Sequence, residues 1–77
     1  MKRIYNYPVL IDVEEGTYVA SCPSFPGCVA QAKTYEEAVD EITEGIEVFI
    51  DTYQKRHWSL PVETVPALTI VKVAVNG

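Results

Sequence analysis

Cys22-Pro23-Ser24-Phe25-Pro26-Gly27-Cys28, followed by Thr34-Tyr35-Glu36-Glu37-Ala38, decides how this chain is read. Two prolines and a glycine between paired cysteines compel a turn, so the apolar segments on either side read as strands joined by a stiff loop. Thr34 then opens a helix. Its hydroxyl is placed to accept from the N–H of Glu37, and the Glu37 carboxylate can reach back to the Thr34 backbone, the pattern of a capping box.

Toward the N-terminus, Tyr5 to Val13 alternates. Tyr5, Tyr7, Val9, Ile11 and Val13 share one face, while Asn6, Pro8, Leu10 and Asp12 share the other. This period of two predicts a half-buried strand, with Pro8 favouring an edge because it has no N–H to donate. Glu14-Glu15-Gly16 predicts a hairpin turn, and Thr17 to Cys22 a return strand. Cys28 to Ala32 predicts a third, short strand, completing an antiparallel meander.

Toward the C-terminus, Tyr35, Ala38, Val39, Ile42, Ile46, Phe49, Ile50 and Tyr53 recur at three-and-four spacing, which predicts one buried helical stripe. The helix should end near Gln54 or Lys55, where Lys55-Arg56 suit the negative end of its dipole. Gly45 inside it costs about 1 kcal/mol against Ala and offers a close approach. His57 to Pro66 reads as a loop. Leu68 to Val75 reads as a final strand, apolar on both faces, whose second cover would come from another copy. The expected architecture is α+β in the order β-β-β-α-β, a three-stranded meander with one long helix packed on it, in a single domain over residues 1–77.

Seventy-seven residues bury only about 60% of their unfolded surface, so a homo-oligomer, dimer or tetramer, is a physical expectation. A hydrophobic content of 48% suits a globular core. No apolar run is long enough to span a bilayer, and Asn6, Pro8 and Asp12 break any signal-peptide core after Met1-Lys2-Arg3; a cytoplasmic protein is expected. A net charge of −5 argues against nucleic acid and for a basic protein partner.

Candidate chemistry is sparse. Cys22 and Cys28 are spaced too widely for a redox pair and lack a second pair of zinc ligands, so reduced structural thiols are expected; with Pro23, Pro26 and Gly27 they shape the loop. His57 has no nucleophile in view and is expected to be structural, and Trp58 to cap the core or a subunit contact. Asp12 alone would suit a metal-dependent nuclease, which needs several converging carboxylates. No catalytic residue, metal site or cofactor is therefore assigned. Glu36, Glu37, Asp40, Glu41, Glu44, Glu47 and Asp51 load the helix with acid. Two readings stand: a solvated face, or one kept for a cationic partner, since acids beyond the first turn gain little from the dipole and repel at i,i+4 spacing. On the second reading Phe25, Glu37, Asp40, Glu41, Glu44 and Glu47 are the expected partner-binding residues.

Tyr7-Pro8-Val9 with Ile11, Glu15-Gly16-x-Tyr18-x-Ala20, Cys22-Pro23-x-x-Pro26-Gly27-Cys28, Thr34-x-x-Glu37-Ala38, and Glu44 with Ile46 together resemble the HicB-like antitoxin family in its short form, over roughly residues 5 to 54. The resemblance implies a truncated ribonuclease H-like domain that has lost its active site. It also implies a role in a type II toxin-antitoxin system, binding and masking a small basic HicA-like toxin that cleaves mRNA. Longer relatives add a C-terminal DNA-binding domain; this sequence closes at Gly77, so direct operator binding is not expected. The alternative is a stand-alone homo-oligomeric structural or regulatory domain without a cognate toxin.

Overall fold

The computed structural model describes residues 3–63 and 69–77. Strands β1 (Leu10–Glu14), β2 (Thr17–Ser21) and β3 (Val29–Ala32) form an antiparallel sheet in the order β1-β2-β3, and helix α1 (Tyr35–Lys55) follows. Glu15 and Gly16 both take positive φ, 50° and 79°, the pair of left-handed residues that a two-residue hairpin loop requires. That turn sets Glu14 opposite Thr17 and Ile11 opposite Ala20. Ala20 in turn faces Ala30 across β3. Ile11, Tyr18, Ala20, Ala30 and Ala32 thus share the face that meets the helix, while Leu10, Asp12, Val19, Val29 and Gln31 lie on the other.

Alternation alone predicts a strand from Tyr5, yet pairing begins only at Leu10. The reason is the partner: β2 stops at Ser21, opposite Leu10, and Pro23 follows. Residues before Leu10 instead run beside the segment after the helix. The Tyr7 hydroxyl donates to the Pro61 carbonyl (2.8 Å), and the Asn6 N–H to a Glu63 carboxylate oxygen (3.0 Å).

The helix forms where its stripe predicts. Thr34, in extended backbone, accepts from Glu37 N–H at 3.1 Å; the reciprocal bond of a full capping box is not made. Its far end is a Schellman motif. His57 occupies the left-handed position (φ 58°), donating to the Gln54 carbonyl, and Trp58 donates to the Tyr53 carbonyl at 2.9 Å. The Trp58 ring meets Tyr53 edge-on at 5.3 Å, the apolar contact that accompanies this cap.

Among the described residues the buried side chains are Ala20, Cys22, Phe25, Cys28, Ala38 and Ile42. Phe25 is their centre, with ring contacts to Tyr7 (4.9 Å), Tyr53 (5.3 Å) and Phe49 (5.7 Å). Helix α1 packs across β3 and β2 and leaves β1 at the open side of the sheet. The expected final strand over Leu68 to Val75 is not formed. Leu68 lies outside the described residues, and Thr69–Val75 carries no strand pairing. A strand requires a neighbour for its N–H and C=O groups, and among the described residues none pairs with this segment.

Two substitutions test this packing. Phe25→Ala should cost about 3–5 kcal/mol, against a total of about 4–12 kcal/mol for a chain of this size; a urea midpoint that barely moves would show the ring is not central. Gly45→Ala should stabilise, because the added Cβ would sit 3.5 Å from the Cys28 sulfur, an ordinary contact. The gain in helix propensity is about 0.8–1.0 kcal/mol, read as a rise in melting temperature of about 4–8 °C.

Candidate functional site

Every acidic side chain of α1 is exposed. At about 100° per residue, Glu36, Glu37, Asp40, Glu41, Glu44, Glu47 and Asp51 all fall within an arc of about 140°. That arc lies opposite the buried stripe led by Ala38 and Ile42. The result is a carboxylate band along roughly 20 Å of helix, pointing directly away from the sheet. Only Asp51 is paired among the described residues, with Lys55 at 3.0 Å on an exposed i,i+4 contact. Val48 stands within this band with 64% of its surface exposed, an apolar point that sequence reasoning did not single out. Its signal was available: Val48 is off the three-and-four stripe, so a helix with one buried side had to leave it in water.

Glu37, Asp40, Glu41, Glu44 and Glu47 are therefore brought together on one surface. Phe25 is not among them. Expected as a partner contact, it is fully buried instead, because backbone bonds from Cys22 N–H to Cys28 O (3.0 Å), Phe25 N–H to Cys22 O (3.1 Å) and Cys28 N–H to Phe25 O (3.0 Å) fold the loop inward. Gly27, at φ 88°, closes that turn, and Pro23 and Pro26 lie on its exposed side.

The groups that could do chemistry are dispersed. Cys22 and Cys28 are free thiols, both buried. Burial, and secondarily the neighbouring Cys22, pushes the Cys28 thiol above its ordinary value of 9.0, which opposes a reactive thiolate. His57 is committed to the helix cap. Asp12 lies on the face of the sheet turned away from α1, so it does not converge with the helix carboxylates. Among the described residues, no group of three or more His, Cys, Asp or Glu side chains is arranged to hold a metal.

A second feature lies at the end of α1. Arg3, Tyr5, Tyr7, Gln54, Trp58 and Leu60 line an open hollow of about 570 Å³. Tyr5 and Tyr7 stack at 6.4 Å, Arg3 lies 5.0 Å from the Tyr5 ring centre, and Arg56 lies 5.1 Å from that of Trp58. Tyr7 is held protonated to higher pH by burial first and then by the Glu63 carboxylate. The hollow offers aromatic surface and no nucleophile with a base.

The sequence has counterparts among known proteins. Residues 7–73 match the model of the HicB_like antitoxin of bacterial toxin-antitoxin system. The chain belongs to this family. It is 46% identical over 63 residues to a UPF0150 protein of Synechocystis sp., covering 80% of each chain. It is 35% identical over 66 residues to a UPF0150 protein of Thermoplasma acidophilum, covering 84% of this chain and 96% of that one. Membership supports an antitoxin-type role. No helix among the described residues is long and apolar enough to cross a membrane.

The thiols supply a check on the loop. Native protein should react with a thiol reagent at neutral pH far more slowly than protein unfolded in urea. Because the folded Cys28 value is raised, its stabilising contribution is complete below the ordinary 9.0 and is lost as pH climbs through the folded value. Thermal melts should therefore weaken above about pH 9; rapid native labelling of both cysteines would contradict the buried loop.

Proposed function

We propose that this HicB-like chain binds and masks a small, basic HicA-like toxin in the cytoplasm and so prevents it from cleaving mRNA. The observation that carries the reading is the carboxylate band of α1. Glu37, Asp40, Glu41, Glu44 and Glu47 contribute nothing to the core, repel one another, and face a direction that folding leaves free. Such a field speeds encounter with a cationic protein and discriminates against an anionic one, nucleic acid included. Val48 within the band supplies an apolar point of contact once the charges have aligned. No cofactor and no catalytic group enter this role.

A second reading, a stand-alone homo-oligomeric domain, draws on the exposed apolar segment near the C-terminus. Purifying the chain with the protein encoded beside it separates the two. On the toxin reading the pair forms a complex at low salt and toxin ribonuclease activity stops. The triple change Glu37→Lys, Glu41→Lys and Glu44→Lys should slow association by about tenfold or more, with the steepness in salt reduced and the circular dichroism unchanged. An unaltered association rate would remove the acidic band from the interface.

A further inference from the structure

Cys22 and Cys28 are the only cysteines of the chain, and the fold sets them face to face. The β2–β3 register runs from Tyr18 opposite Ala32 to Ser21 opposite Val29. One step further along the same ladder puts Cys22 opposite Cys28, and the bond from the Cys22 N–H to the Cys28 carbonyl, 3.0 Å, holds them there. Both side chains continue the row of Ala20 and Ala30 that meets α1, and both are enclosed in the core, 2% and 3% exposed. Their spacing in sequence argues against a redox pair. The turn over Pro23–Gly27 cancels that spacing in space.

We propose that Cys22 and Cys28 are an oxidation site, forming a disulfide across the mouth of the Phe25 loop when the protein meets hydrogen peroxide. Opposed residues joined by a hydrogen bond in an antiparallel ladder have Cα atoms about 5.5 Å apart. That lies inside the span of about 4.4–6.8 Å that a disulfide bridges. The Cβ atoms must close by about 1 Å, which a ladder end beside a loop can give. In the reaction one thiolate attacks the O–O bond, becoming a sulfenic acid and releasing hydroxide, which takes up the proton lost by that thiol. The second sulfur then displaces the sulfenic oxygen as water, giving up its own proton. Two thiols and one peroxide thus give one disulfide and two waters; the sulfurs lose two electrons and the peroxide gains them.

Burial selects this outcome over others. Thiols enclosed beneath α1 do not meet a cysteine of another chain or a bulky disulfide, whereas a water-sized oxidant enters when the loop opens locally. Pro23, Pro26 and Gly27 are exposed on the outer side of the loop, so that opening leaves the sheet paired. Enclosure and the raised Cys28 value make the first step slow. The second is fast, because its partner is already in place. The pair therefore registers sustained peroxide and ignores brief contact. The bond closes a short ring around Phe25, and in a chain with so small a core such a staple makes the oxidised form the more persistent one. This inference concerns the chain alone and holds or fails apart from the toxin reading.

Mass spectrometry tests it on the full reduced chain, treated with hydrogen peroxide in native buffer at about pH 8 and then alkylated in urea. The chain should lose two hydrogen atoms, take up no alkyl group, keep the size of one chain on a non-reducing denaturing gel, and regain both thiols in dithiothreitol. The oxidised form should melt about 8 °C or more above the reduced one. Cys22→Ala and Cys28→Ala, each a small apolar replacement, should instead accumulate a sulfenic acid that dimedone captures, with no thermal gain. The wild-type readouts decide the question even where a variant fails to fold. Two alkylatable cysteines after prolonged peroxide, oxygen added to the wild type without a cross-link, chains cross-linked to one another, or an oxidised form that melts lower would each overturn the disulfide.

Discussion

Everything in this domain depends on turning Phe25 inward. Three backbone hydrogen bonds within Cys22–Cys28 close the loop over itself, and the aromatic ring drops among Tyr7, Phe49 and Tyr53. That one ring connects the segment before β1, the loop between β2 and β3, and the last turns of α1. Few side chains among the described residues are fully buried, and Phe25 is one of the largest of them. The free cysteines line the same space as small apolar groups, with Cys28 beneath α1 at Gly45.

Fixing the helix over β2 and β3 has an electrostatic consequence. Because one side of α1 is committed to Ala20, Phe25 and Cys28, its acids are all delivered to the opposite side. The band is a by-product of the same periodicity that builds the core, and its repulsion is tolerated because water screens it. In an antitoxin family, where the task is to hold another protein, a rigid rod presenting fixed charge costs little to order on binding.

The helix placement also leaves β1 partly uncovered. A small chain has too little apolar material to cover both sides of a sheet from within. Here Ile70, Val71, Val73 and Val75 are left exposed, and β1 and β3 are each paired on one side only.

Much was legible from local pattern. The Gly16 hairpin, the Pro-Gly loop, the Thr34 cap and the three-and-four stripe each act over a few residues, so their residue types predict them directly. The acidic band follows too, since helical period and charge are both written in the order of residues. What local pattern could not decide was anything needing a partner across space. Tyr5 to Val9 alternates like a strand but has no neighbour beyond Ser21, and Thr69–Val75 has strand chemistry without a strand beside it. Phe25, which by loop position read as an exposed anchor, is buried because the loop's own hydrogen bonds turn it toward the helix. Sequence by itself determined which segments favour strand, turn or helix and which side of each is apolar, because those are short-range preferences; tertiary structure alone decided which strands find a partner and which ring is enclosed, because pairing and enclosure depend on atoms that other parts of the chain bring near.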